Sequence, residues 1–300
     1  MTRRRVVIDT DPGLDDAVAI LHALNCGRFD VLGLTTVAGN IGLDVVTRNA
    51  GRLLALMGRG DIPVFAGAAE PLVRKGIDEA AIHGDDGLGC VILPEPAAAP
   101  GEDAVGWLAD LLAREEPGTV DIFALGPLTN VATLVLLHPA AANRIGRIIA
   151  MGGAIDEKGN VGPRSEFNLA CDPEAADIVL RAGLDLTLVP LDVTRRVRAD
   201  RDYVAGLRAS GVAGETAAGL IEAYFHNATG RESRPLHDPC VMLLALAPEM
   251  FRIETRDLAV DLGGGPDAGA LVGEGDTVAV KVAMGVDADA ALALLAGGLA

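Results

Sequence analysis

Four aspartates, Asp9, Asp11, Asp15 and Asp16, fall within eight residues of the stretch VVIDTDPGLDDA, directly after an apolar run. Like charges crowded that closely repel, and burying an unpaired carboxylate costs several kcal/mol. Pro12 and Gly13 set a tight turn, after which Asp15 and Asp16 open a helix. Acids in a first helical turn favour the macrodipole, so capping accounts for Asp15 or Asp16. It leaves Asp9 and Asp11 unexplained. A hard cation accounts for the whole set, because Ca²⁺ or Mg²⁺ takes carboxylate oxygens, backbone carbonyls and waters. No Cys/His cluster with zinc spacing competes, and the spacing lacks the twelfth-position Glu of an EF-hand loop.

Other residues able to do chemistry are sorted by the elements that carry them. Short apolar runs (RVVI, VLGLTTV, DIPVFA, TVDIFAL, RIIAM, DLTLVPL) alternate with Ala/Leu-rich helical segments, among them DDAVAILHAL, DVVTRNAGRLLALM, AVGWLADLLARE, LTNVATLVLL and PEAADIVLRA. That alternation predicts an α/β fold with a parallel sheet covered on both faces, and no linker divides the chain. In such a sheet, ligands bind beyond the carboxyl ends of the strands. Asp9 and Asp11 end the first run; Thr36, Gly39 and Asn40 follow the second. Leu125, Gly126 and Asn130 follow TVDIFA, and Gly152 and Gly153 lead from RIIAM to Asn160, Glu166 and Asn168. With parallel strands these groups meet at one edge. Glu166 and Asn168 are expected on one side of an extended strand. HDPCVMLLALA reads as a buried helix capped by Asp238, preceded by a polar, mobile stretch from Tyr224 to Leu236.

Two chemistries use an acidic metal cluster at a strand end. Strand-Asp-x-Asp resembles the nucleophile motif of haloacid-dehalogenase-type phosphatases, but Gly13 stands where that motif has Thr or Val, and no convincing phosphate-binding stations follow. The other chemistry uses the metal to hold a sugar diol and activate water. DTDPGLDDA resembles the N-terminal motif of the inosine–uridine-preferring nucleoside hydrolases. The likeness continues through TTVAGN, TRNA, IHGDDGLG, LGPLTN, MGG, GNVGPRSEFN, DPEAA, HDPC and VAVKV, in that family's order over nearly the whole chain.

The resemblance implies a doubly wound, mostly parallel α/β sheet in a single domain over residues 1–300. It also implies a tightly bound Ca²⁺ and hydrolysis of the N-glycosidic bond of ribonucleosides. It places the metal ligands on Asp11, Asp16, Asp238 and the main-chain carbonyl of Leu125, and the ribose ligands on Asp15, Asn40, Asn160, Glu166 and Asn168. Asp11 is implied as the general base on water. His237 is implied as the acid that protonates the departing base, and His83 as a second pocket histidine. As residues alone, His237 also reads as a helix N-terminal histidine and His83 as a loop histidine. His226 lies in the polar stretch, and His22 and His138 read as structural. The histidine at 237 disfavours the purine-specific branch, leaving a pyrimidine-preferring or broad inosine/uridine enzyme, in a homo-oligomer, tetramer or dimer.

Composition narrows the partners. Lys and Arg number 25 against 42 Asp and Glu, a formal net charge of −17. Nucleic-acid polymers and anionic membranes are recognised through positive patches, so neither is expected as a partner; a small neutral or cationic ligand or a metal ion fits the charge, and the resemblance implies a small-molecule ribonucleoside. The 4 cysteines, Cys26, Cys90, Cys171 and Cys240, are scattered and read as buried free thiols in a reducing compartment. With no signal-peptide h-region, a cytoplasmic protein is expected. Asn227-Ala228-Thr229, a formal glycosylation acceptor, then carries no meaning.

Overall fold

A computed structural model describes residues 3–79, 82, 84, 86–226 and 233–300, the side chain of His226 excepted. Its strands are β1 (Arg4–Thr10), β2 (Phe29–Thr36), β3 (Val64–Ala66), β4 (Val120–Ala124), β5 (Ile148–Met151), β6 (Leu186–Val189), β7 (Arg198–Asp200), β8 (Ser233–Pro235), β9 (Phe251–Val260), β10 (Leu271–Val272) and β11 (Val278–Val286). Nine of them form one sheet in the order β10-β9-β11-β6-β5-β4-β1-β2-β3, and β7 and β8 form a separate antiparallel ribbon. The run from β3 to β11 is parallel; β9 and β10 add an antiparallel edge that the apolar-run reading did not include.

The strands are buried on both faces because their residues alternate between two cores. Val6, Ile8, Phe123 and Ile149 face one core, with the helices Leu14–Asn25, Pro239–Leu246 and Ala288–Leu299. Val7, Ile122, Ile148 and Ala150 face the other, with Ala104–Arg114, Thr129–Leu137 and Pro173–Arg181. This is the expected doubly wound, mostly parallel sheet. The chain runs outward from β1 through β2 and β3, then returns to β4 on the other side of β1. Beyond the carboxyl ends of β1 and β4 the order reverses and a crevice opens.

Two expectations are corrected. All four cysteines are free, but only Cys171 and Cys240 are buried; Cys90 is exposed and Cys26 is half-buried. The polar stretch from Tyr224 is also not one loop. Tyr224 lies in the last turn of the helix Gly211–His226 and Ser233–Pro235 forms β8, while Asn227-Ala228-Thr229 lies outside the described residues.

Candidate active site

The crevice deepens into a cavity of about 710 Å³. Eight of the predicted site residues line it: Asp15, Asn40, Leu125, Asn160, Glu166, Asn168, His237 and Asp238. They come from the ends of β1, β2, β4 and β5 and from two helix starts. Asp11 sits behind them. His83 lies outside the described residues, although Glu79 and Ile82 of its segment line the cavity.

The aspartates are fixed by the turn after β1. Asp16 Oδ1 accepts from Thr10 Oγ1 at 2.6 Å and from the Asp11 amide at 3.2 Å. Its Oδ2 accepts from the Gly13 amide at 3.1 Å and from Asn40 Nδ2 at 3.0 Å. Asp16 thus closes the helix start and also belongs to the cluster. Asn40 donates its amide to Asp11 Oδ2 at 2.7 Å. Glycine is required on both flanks of Asp11, since a Cβ at Gly39 or Gly126 would collide with a carboxylate oxygen of Asp11. Asp9 supports from below, accepting Thr35 Oγ1 at 2.6 Å and Asn130 Nδ2 at 2.7 Å.

Asp15, Asp16 and Asp238 each offer an oxygen, all within 4.8 Å of one another, and all three are buried. Asp238 precedes the helix Pro239–Leu246, but its side chain makes no capping hydrogen bond. The expected cap is therefore corrected: the proline at N1 starts the helix and the carboxylate belongs to the acidic cluster. Glu166 and Asn168 need a second correction, because they lie on no strand. Glu166 caps the helix Phe167–Cys171 and accepts from the Asn168 and Leu169 amides, and from Gly153 N at 2.9 Å. Asn168, inside that helix, donates Nδ2 to the Leu125 carbonyl at 2.6 Å and bridges the ends of β4 and β5.

Burial and neighbouring like charges push these acids toward protonation. Burial, then the Asp16 charge, pushes Asp15 up to about 7, partly offset by backbone hydrogen bonds from Asp15 itself, His237 and Asp238. Burial raises Asp11 well above the usual carboxylate range, with Asp16 adding to it; for Asp238 the neighbouring charges are Asp15, Asp16 and Asp11. Burial also lifts Glu166 to about 7 and Asp9 to about 6. Asp11 Oδ1, fully enclosed, takes no hydrogen bond among the described residues. An all-oxygen, multiply anionic, buried donor set with an idle oxygen fits a hard divalent cation.

Several contributors carried no local sequence signal. Thr194, buried after β6, shares a hydrogen bond of 2.7 Å with His237 Nδ1. Asp192 accepts the amides of Ile155, Asp156 and Glu157 and so anchors the loop leading to Asn160. Arg195 ties the same loop through the carbonyls of Lys158 and Gly159. Tyr224 and Arg234 line the cavity beside His237.

Fold and site together define a doubly wound α/β protein with a carboxylate-rich cavity at its topological switch point. The family model described as inosine-uridine preferring nucleoside hydrolase matches residues 6–293. The chain is 38% identical over 274 residues to the pyrimidine-specific ribonucleoside hydrolase RihA of Shewanella woodyi, covering 90% of this chain and 88% of that protein. The plant nucleoside hydrolase PpNRh1 superposes with a TM-score of 0.92 at 33% identity over 99% of both chains. A purine-preferring ribonucleoside hydrolase from Gardnerella vaginalis superposes with a TM-score of 0.91 at 29% identity over 98% of both. The chain belongs to the inosine-uridine preferring nucleoside hydrolase family.

Proposed function

We propose that this chain, acting as one domain over residues 1–300, is a Ca²⁺-dependent hydrolase of unphosphorylated ribonucleosides that releases free base and ribose. The observation that carries the reading is the cavity at the β1–β4 switch point, where acidic and amide side chains suited to a diol meet a histidine. Asp15, Asn40, Asn160, Glu166 and Asn168 bind the ribose hydroxyls. Asp11, Asp16, Asp238 and the Leu125 carbonyl hold the ion. Ca²⁺, when bound, supplies a fixed positive charge that orients the ribose diol and a water and lowers the cost of deprotonating that water.

Asp11 accepts the proton of the attacking water as general base. The water oxygen bonds to the anomeric carbon on the face opposite the base while the C–N bond breaks. The surrounding carboxylates favour the positive charge that develops on the ribosyl ring. His237 delivers a proton to the departing base, and the Thr194 hydroxyl, able to donate or accept, holds Nδ1 in either protonation state. No protein nucleophile intervenes, so the anomeric carbon inverts. A histidine at 237 supports a pyrimidine-preferring or broad inosine/uridine enzyme. The same reading has the protein working in the cytoplasm as a homo-oligomer, a tetramer or dimer.

Product analysis tests the reading. Uridine or inosine should yield free base and ribose, while the 5′-monophosphates are barely touched. Inorganic phosphate from the monophosphates with no free base would replace it with the phosphatase reading of the Asp-x-Asp motif.

A further inference from the structure

The inference rests on that ribonucleoside reading and concerns how one wall of the cavity is held. The segment after β3 enters the cavity at Glu79 and Ile82. The Glu79 amide donates to the Asn40 carbonyl at 3.1 Å. Asn40 in turn donates Nδ2 to the Asp11 carbonyl at 3.1 Å and to Asp16 Oδ2 at 3.0 Å. Yet residues 67–79 form neither helix nor strand, and Leu72, Val73 and Ile77 are exposed. Neither a backbone ladder nor a buried apolar face fixes the path of this segment, so polar ties must. One is the Leu72 amide, which donates to Asp172 Oδ2 at 2.9 Å.

Arg74 is the larger tie. Its Nε donates to Glu174 Oε1 and Oε2 at 2.8 and 3.0 Å, its Nη1 to the Gly263 carbonyl at 2.8 Å and its Nη2 to the Leu262 carbonyl at 2.7 Å. Leu262 and Gly263 belong to the connection between β9 and β10. That connection also grips the loop leading from Asn160 to Glu166. Asp267 Oδ1 accepts the Arg164 amide at 3.2 Å, and the Pro266 carbonyl accepts Ser165 Oγ at 3.3 Å. A Cβ at Gly162 would collide with the same Pro266 carbonyl. A partly exposed ion pair alone is worth little, but a planar fork that bonds a carboxylate and two main-chain carbonyls at once fixes three pieces of chain. We propose that Arg74 is a positioning residue for ribose binding. It holds the segment after β3 so that Glu79 backs Asn40, and it joins that wall, through the β9–β10 connection, to the loop of Asn160 and Glu166. The antiparallel edge of the sheet thereby reaches the site without contributing a residue to it.

Steady-state kinetics on uridine and p-nitrophenyl riboside, with free ribose as competitive inhibitor, test it in the wild type, Arg74→Gln, Arg74→Lys and Arg48→Gln. Arg48 pairs with Glu95, neither of which lines the cavity, so its variant controls for loss of a surface ion pair. Arg74→Gln should raise KM for both ribosides by roughly tenfold and keep kcat within about twofold, the pattern of a contact felt equally in ground and transition states. The inhibition constant of ribose should rise by the same factor. Arg74→Lys keeps a charge facing Glu174 but lacks the fork, and should fall between. Arg48→Gln should keep the wild-type KM. An Arg74 variant that lowers kcat or melting temperature while KM and the ribose constant stay at wild-type values overturns the proposal; the lysine variant decides where the glutamine variant does not fold. A rise in KM for uridine alone also overturns it, since the wall would then meet the base. A wild type that hydrolyses no nucleoside overturns the ribonucleoside reading and this proposal with it, an outcome distinct from an active wild type whose Arg74 variants keep its KM.

Discussion

On the side of the cavity beyond β1 and β4, Asp16 alone takes four hydrogen bonds, from Thr10, Asp11, Gly13 and Asn40. All but one come from within six residues of the chain. On the other side, Tyr224, Arg234, Thr194 and His237 arrive from a helix end, a two-stranded ribbon, a short helix after β6 and the approach to Pro239–Leu246. Arg234 lies over the Tyr224 ring, and the Thr194 hydroxyl hydrogen-bonds His237 Nδ1. The first side is over-determined by local backbone geometry, which suits groups that must share an ion and a water. The second is assembled from separate elements near connecting segments, where substrate preference is usually tuned. The proposed function assigns the reaction class to the strand-end side and the leaving base to the other.

Substitutions that separate the two sides sharpen this division. The largest effect is expected for Asp11→Asn, which keeps the side-chain shape but removes the proton acceptor. Steady-state turnover should fall by about 10³-fold or more on uridine, inosine and p-nitrophenyl riboside alike, because every substrate needs the attacking water. Loss confined to the natural nucleosides would move Asp11 out of the water-activating role. A smaller and substrate-dependent effect is expected for His237→Ala. General-acid help to a poor leaving group is worth about 10²–10⁴-fold, whereas nitrophenolate departs readily as an anion. The variant should lose most activity on uridine or inosine and keep much of it on the nitrophenyl riboside. Equal losses on both would make His237 a structural residue and break the division between the two sides.

The same contrast explains what could be read from residues alone. Asp11, Asp15, Asp16 and Asn40 sit directly beyond apolar strand runs, so the strand-end rule finds them without knowledge of packing. Glu166 and Asn168 are legible as residue types, but their spacing of two fits a strand, and Glu is a poor signal for a helix N-cap. Only the structure reveals that Glu166 accepts backbone amides there. Asp238 stands before a proline that opens a helix, which reads as a cap; its membership of the acidic cluster depends on the distant Asp15 and Asp16. The β9–β11 pairing escaped because β9 is largely exposed along its middle and lacks a continuous apolar run. Thr194, Tyr224 and Arg234 have no local pattern at all, since only tertiary packing brings them to the cavity wall or to His237.

In the proposed function the acidic cluster binds a cation on which both the fold and ribose release depend. Uridine hydrolysis and melting temperature, measured before and after prolonged chelation with the metal content verified, test it most directly. Removal of the ion should abolish base release and lower the melting temperature, because a ligand held only by the folded state stabilises that state, and added Ca²⁺ should restore both. Full activity in a verified metal-free protein would contradict it.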